Sequence, residues 1–167
     1  MTLTQVTIVP FYTCLFVLYY LVLSRRVILL RRKYRVPLSN GTVEYLSYIE
    51  LEREKAGLIS YEPKISSRNL DEPKFLELQR TIRTHANFSE YIPITLLLLF
   101  FIEINRYLSP QIIHITCLFS LLARLIHAEL AFAHGMAVNT WRIIGISITY
   151  ATLLFAALVN GYNFWVT

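Results

Sequence analysis

The chain has 167 residues, of which 55% are hydrophobic, and its mean hydropathy of +0.48 is too high for a soluble domain of this size. The formal net charge of +5 comes largely from one short basic segment, so it gives no reason to expect a nucleic-acid partner. Cys14 and Cys117 both lie in apolar stretches, where each is predicted to be a small buried residue rather than a disulfide partner or catalytic thiol. The composition therefore indicates an integral membrane protein.

The first predicted membrane helix covers about residues 6–30, and no charged residue occurs between Val6 and Ser24. It runs into a basic segment, Arg25 to Arg35, in which six of eleven residues are Arg or Lys. By the positive-inside rule this segment faces the cytoplasm, or the matrix if the membrane is mitochondrial. The segment is either a topology signal that also contacts lipid headgroups or part of a ligand site, and both interpretations stay open.

A long connection follows, at about residues 37–73, and it is rich in proline and glycine. Connections of this length are uncommon inside compact domains and tend to be functional or disordered. A charged stretch within residues 42–56 is predicted to form a short surface helix. The connection is either a solvated loop with some interfacial helix or a docking surface for another protein.

The second predicted helix covers about residues 75–104 and is polar in its first half. Its apolar block, residues 92–102, spans about 16 Å of helix, roughly half of a hydrocarbon core. A helix that crosses the bilayer must therefore extend backwards over Arg83, Asn87 and Glu90, which share one helical face. A carboxylate at that depth is costly unless it faces the protein interior and has partners. We expect these side chains to point into the protein and to form a functional site.

The third predicted helix, about residues 112–132, is apolar in its first half and then carries Arg124 and His127 on one face. An arginine at bilayer depth needs an anionic partner. Either Arg124 forms a structural ion pair with Glu90, or the cations of this face hold an anionic ligand. The fourth predicted helix, about residues 143–166, has no charge.

Together these elements predict one all-α domain over residues 1–167, an integral membrane four-helix bundle with both termini on the side opposite the basic segment. No Gly-rich phosphate loop and no serine-nucleophile elbow occurs in the sequence. Three histidines are spread along and just after the third helix without a carboxylate at ligand spacing, so no metal site is predicted: these are His114, His127 and His134.

The sequence RTHANFSEYIP at positions 83–93 resembles the pattern Arg-x-x-x-Asn-x-x-Glu-Tyr-x-Pro of the MAPEG family, the membrane-associated proteins in eicosanoid and glutathione metabolism. RRKYRV at positions 31–36 is similar to the basic end of that family's first helix. RLIHA at 124–128 and RIIG at 142–145 resemble its bacterial branch. The matches touch all four helices, in the family's order.

The resemblance implies a homotrimer of antiparallel four-helix bundles that binds glutathione between neighbouring subunits. Carried over by position, the residues that would hold glutathione are Arg31, Arg83, Asn87, Glu90, Tyr91 and His127, and His85 would lie close to the ligand. Arg142 and Arg124 are the implied catalytic cations, since a nearby positive charge keeps a thiol ionised as the nucleophilic thiolate.

Three features depart from the family pattern. Ala131 stands where several members have a tyrosine, and Glu129 stands where bacterial relatives often have an aromatic residue. The first connection is longer than usual by roughly thirty residues. Each departure leaves the expected fold unchanged and weakens the expectation of catalysis.

Two classes of function follow from the sequence. The protein is either a glutathione-dependent transferase or peroxidase acting on a lipophilic electrophile, or a non-catalytic subunit of a larger membrane complex that docks through residues 37–73. The retained glutathione motif favours the enzyme, and the altered third helix favours the subunit. The endoplasmic reticulum, mitochondrial and bacterial inner membranes are equally compatible with the sequence.

Overall fold

The computed structural model of the protein describes residues 6–36, 51, 73–130 and 140–166. Within these ranges the chain forms four long helices, α1 (Ile8–Tyr34), α2 (Pro73–Ile104), α3 (Pro110–Leu125) and α4 (Thr140–Val166). α1, α2 and α4 are each long and apolar enough to cross a membrane, and so is α3 together with the turn that follows it, Pro110–Glu129. This confirms the prediction of an all-α integral membrane protein. The predicted surface helix at 42–56 lies outside the described residues except for Leu51, which is helical and exposed.

The helices are longer at their polar ends than the apolar pattern predicted. α1 continues to Tyr34 rather than ending near residue 30, and its last turn carries three basic residues, which the negative end of the helix dipole favours. α4 begins at Thr140 rather than near residue 143. α3 passes into a π-helical turn, Ile126–Leu130, that the sequence did not predict.

The chain divides into two compact units. The first unit consists of residues 1–22 and 86–167, and the second consists of residues 23–85. In the first unit, α3 and its π-helical turn pack along α4. In the second unit, Val36 and Leu78 are completely buried, and the partly buried side chains packed against them are Leu30, Tyr34 and Ile82. The prediction of a single domain over residues 1–167 stays a prediction.

Glu103, near the end of α2, caps the first turn of α1. Its carboxylate accepts hydrogen bonds from the backbone N–H groups of Thr7, Ile8 and Val9 at 2.9, 2.7 and 2.8 Å. The first amides of any helix lack partners within the helix, and an unsatisfied amide is expensive away from water. Glu103 is only 8% exposed, so its charge serves to anchor α1 against α2.

Threonine hydroxyls within the helices bond the carbonyl oxygen four residues earlier in the same helix, at 2.7–2.9 Å. Such back-bonding lets a polar side chain lie in an apolar environment without an external partner. The six threonines with this bond are Thr13, Thr81, Thr95, Thr116, Thr149 and Thr152.

An aromatic cluster joins α1 to α2 in the first unit. The ring of Phe88 lies 5.7–6.1 Å from the rings of Phe16, Tyr19 and Tyr20, measured between ring centroids. Beside it is an apolar groove of about 430 Å³, which we name the α1–α2 groove; Phe16, Phe88 and Ile92 are among the residues that line it. Three aromatic contacts of this kind hold the two helices together through dispersion and ring packing.

Neither cysteine forms a disulfide. Cys117 is completely buried, as predicted, but Cys14 is exposed, so the prediction that both are buried was wrong for Cys14. α1 is apolar around its whole circumference at this level, and hydrophobic periodicity therefore gave no indication of its inner face.

Candidate functional site

The predicted motif lies on α2 as one continuous helix. Asn87 and Tyr91 are half-buried, whereas Arg83 and Glu90 are exposed on the single chain. The expectation that Arg83 and Glu90 point into the protein concerns a trimer, so their exposure on a single chain leaves it a prediction. Charges at membrane depth are costly in contact with lipid.

Arg124, on the last turn of α3, is the largest completely buried side chain among the described residues, at 2% exposed. Its three guanidinium nitrogens have no hydrogen-bond partner within that part of the chain. The ion pair with the exposed Glu90, one of the two alternatives from the sequence, is therefore not formed. The contact that Arg124 does make is with an aromatic face, because its guanidinium carbon lies 5.2 Å from the ring centroid of Tyr91.

Tyr150 on α4 completes this arrangement, and sequence reasoning missed it. Its hydroxyl lies 3.1 Å from the hydroxyl of Tyr91, and the two rings meet edge to face with centroids 5.6 Å apart. Tyr150 lies eight residues after Arg142, about two helical turns further along α4 and rotated from it by roughly 80° around the helix. That spacing gave no signal in the sequence that could have identified it.

A cavity of about 170 Å³ brings together Asn87 from α2, His127 from the π-helical turn and Arg142 from α4, with Ile143 and Ile146 completing its lining. His127 is buried, and its Nδ1 lies 3.2 Å from the carbonyl oxygen of Arg142. Because a carbonyl can only accept, Nδ1 carries the hydrogen of this bond. The other ring nitrogen, Nε2, is buried without a partner among the described residues. We name this space the α2–α4 cavity.

Gly145 allows α4 to approach α3 closely enough to form this cavity wall. A Cβ added to Gly145 would lie 2.6 Å from Cβ of His127 and 2.8 Å from the carbonyl oxygen of Ala123. Both distances are shorter than van der Waals contact, so a side chain here would push the helices apart. The π-helical turn that carries His127 lies at the same place, and single π-helical turns are frequent at functional sites.

The remaining predicted residues belong to the second unit and do not line the α2–α4 cavity. Arg31 lines a different cavity at the end of α1, and Arg83 is exposed. His85 shares a 2.9 Å hydrogen bond with the hydroxyl of Ser24. The structure thus brings together Asn87, His127 and Arg142 in one cavity.

A model of the MAPEG family matches residues 9–162 of the chain. The chain belongs to the MAPEG family. Members of this family include glutathione-dependent transferases and peroxidases, and glutathione is their usual thiol. Family membership, together with the four membrane-crossing helices, makes the chain a multi-pass integral membrane protein in contact with the lipid bilayer.

Two curated relatives are 40% identical to this MAPEG protein over 86 residues. Both are named inner membrane protein YecN, one from Escherichia coli K12 and one from Escherichia coli O6:H1. The match covers 52% of this chain and 63% of each relative, and neither name states a catalytic activity. No solved structure matches the chain.

The departures from the MAPEG pattern have different outcomes. Glu129 accepts a 2.7 Å hydrogen bond from the hydroxyl of Tyr19 on α1, and it does not line the α2–α4 cavity. The carboxylate of Glu129 is therefore engaged by α1 and is not part of the cavity lining. Ala131, His134 and almost all of the inserted connection lie outside the described residues.

Proposed function

We propose that this MAPEG protein is a glutathione-dependent membrane enzyme, a transferase or peroxidase that acts on a lipophilic electrophile. The observation that carries the proposal is the α2–α4 cavity, where side chains from three separate segments meet: Asn87, His127 and Arg142. A bundle with a purely structural role has no need to assemble an amide, an imidazole and a guanidinium around one space.

The residues of the cavity fit glutathione chemically. Glutathione is an acidic peptide, and its carboxylates and thiolate need cations and hydrogen-bond donors. Arg142 provides a cation in the cavity wall, and the amide of Asn87 both donates and accepts. The unpartnered nitrogens of His127 and Arg124 are the kind of buried polar groups that a bound ligand satisfies.

The size of the cavity supports assembly of several chains around the site. Small-molecule sites usually measure about 300–1,000 Å³, and the α2–α4 cavity measures about 170 Å³. One chain therefore provides only part of a glutathione site. Arg83 and Glu90, exposed on the same helix as Asn87, are placed to be covered by a second copy. We assign the protein as a homotrimer in which neighbouring subunits complete the site.

Each side chain has a role in this proposal. Glutathione supplies the thiol that attacks the electrophile. Arg142 is the cation that keeps this thiol ionised, and a positive neighbour lowers a thiol pKa below its ordinary value of about 8.5. The backbone of the peptide is held by Arg31, Arg83, Asn87, Glu90 and Tyr91, as the family resemblance implies. Arg124 contributes positive potential from behind Tyr91.

The test is thiolate formation by bound glutathione, measured as ultraviolet absorbance of purified protein at neutral pH. The wild type should show this absorbance, and Arg142→Ala should abolish it because the stabilising cation is lost. Arg106→Ala is the matched control, since Arg106 is an exposed arginine in the connection after α2. It should leave the signal unchanged.

The absence of a thiolate signal in the wild type would favour the second class of function, a non-catalytic subunit. If the wild type binds no glutathione, or binds it without forming thiolate, the protein is a non-catalytic subunit of a larger membrane complex. Deleting residues 43–70 should then release it from that complex. An enzyme that uses this connection only for docking would keep its thiolate signal after the deletion.

A further inference from the structure

The end of α1 has an unusual backbone. The amide of Val36 donates to the carbonyl of Arg31 at 2.9 Å, and the amide of Arg35 donates to the carbonyl of Arg32 at 3.3 Å. This pair of bonds is the Schellman motif, whose key residue adopts the left-handed conformation and is most often glycine. Arg35 occupies that position here, with φ of 57°. A strained backbone held in place by its surroundings is a reason to ask what the side chain does.

The surroundings do hold it in place. Val36, the residue after Arg35, is completely buried against Leu78. Tyr34 packs on the same cluster, and its hydroxyl donates a hydrogen bond to the carboxylate of Glu77. Anchored on both sides, Arg35 projects from a fixed backbone, which reduces the entropy lost when its side chain binds something.

A cavity of about 530 Å³ lies at this helix end, and we name it the basic pocket. Among the described residues, its lining consists of Arg31, Arg32 and Arg35 together with the apolar side chains of Ile28 and Val36. The carbonyls of Arg31 and Arg32 already accept backbone hydrogen bonds, so they present little negative charge to an anion. Three guanidinium groups around one space form a site for an oxyanion, and the guanidinium fork fits phosphate oxygens two at a time.

We propose that the basic pocket binds the phosphate of an anionic phospholipid headgroup. Phosphate chemistry alone would also fit a free phosphate ion. Two observations favour the lipid: the pocket lies at the basic end of a membrane-spanning helix, and part of its lining is apolar. Basic residues at such a position attract anionic lipids. Arg31 also belongs to the proposed glutathione site, so the variants below change only Arg32 and Arg35, which have no role there.

The experiment compares retention of phosphatidylglycerol by the full-length protein, using native mass spectrometry of protein released from nanodiscs that contain phosphatidylglycerol and phosphatidylcholine. The double variant Arg32→Gln/Arg35→Gln should lower the apparent affinity for phosphatidylglycerol roughly tenfold or more. Retention of phosphatidylcholine and binding of glutathione should both stay at the wild-type level.

Arg106→Gln is the matched control. Arg106 ends α2 with the same backbone motif and a φ of 56°, but it is the only basic residue between positions 100 and 111. The Arg106→Gln variant should retain phosphatidylglycerol as well as the wild type does. Equal retention by the wild type and the double variant, or an equal loss in Arg106→Gln, would overturn the proposal.

Two further measurements separate lipid binding from damaged folding and from binding of free phosphate. Arg35→Gly keeps the left-handed backbone at lower strain while it deletes the cation, so it should raise the unfolding temperature and still lower lipid retention. If Arg35→Gly both retains less phosphatidylglycerol and unfolds at a lower temperature than the wild type, the loss of lipid comes from damaged folding and counts against the pocket.

Inorganic phosphate added at millimolar concentration should not displace the lipid. Displacement would show that the pocket takes the free ion, and it would overturn the lipid assignment.

Discussion

Glu103 and Arg124 are two buried ionisable side chains in the same compact unit, and their surroundings differ sharply. Each oxygen of the Glu103 carboxylate accepts at least one backbone amide bond from the first turn of α1. Arg124 has three nitrogens with no hydrogen-bond partner among the described residues and rests against the ring of Tyr91. A satisfied buried charge holds a fold together, whereas an unsatisfied one is retained at a cost to stability and indicates a site that is completed by something else.

The largest expected effect comes from removing the carboxylate of Glu103. Glu103→Ala should destabilise the protein by about 4 kcal/mol, because it deletes charge-assisted hydrogen bonds and leaves several amides of α1 unpaired in an apolar environment. Thermal unfolding in detergent measures this loss. Glu103→Gln keeps one acceptor oxygen, so its unfolding temperature should lie between those of Glu103→Ala and the wild type. An unchanged unfolding temperature in Glu103→Ala would show that the cap has no energetic role.

A second variant tests the packing that places His127 near Arg142. Gly145→Ala should destabilise the protein by about 1–2 kcal/mol, since the cost of overpacking exceeds the gain in helix propensity. Gly161→Ala is the matched control, because a Cβ at that position on the same helix has no neighbour within 4 Å. It should be neutral or slightly stabilising. If both variants behave alike, the close approach of α3 and α4 is not required.

The smallest effect has the opposite sign. Arg124→Met exchanges an unpartnered buried cation for an apolar side chain of similar length, so ligand-free protein should become more stable by about 1 kcal/mol. The same variant should bind glutathione more weakly, which equilibrium binding would show. A loss of stability in the absence of ligand would mean that Arg124 has a structural anionic partner after all.

Hydrophobic length was enough to predict the four helices, because a membrane span requires a long apolar stretch and tolerates few alternatives. It did not predict how buried charges are paired. Glu103 received no role from the sequence, and an ion pair with Glu90 was one of the two alternatives for Arg124. Pairing depends on where separate helices bring their ends together, and that is a tertiary property with no periodic signal in the sequence.

The site was predictable to the extent that it follows one helix. Spacing put Asn87 on one face of α2 and His127 on one face with Arg124, and Tyr91 and Arg142 came from the family resemblance. Tyr150 and the close packing at Gly145 were missed, since both depend on the way α4 lies against its neighbours. Spacing also could not decide what Arg83 and Glu90 contact, because it gives a shared face and no neighbour for that face.

Asn87 and Phe88 are consecutive residues of α2, yet one lines the α2–α4 cavity and the other lines the α1–α2 groove. A single helical turn therefore separates a polar space from an apolar one. A rotation or shift of that turn changes both volumes together, so a molecule that moves the turn when it enters the groove alters the free energy of filling the cavity. Thermodynamic linkage requires the reverse effect to be equal in size. A lipophilic compound in the groove and an anionic compound in the cavity would thus change each other's affinity without touching.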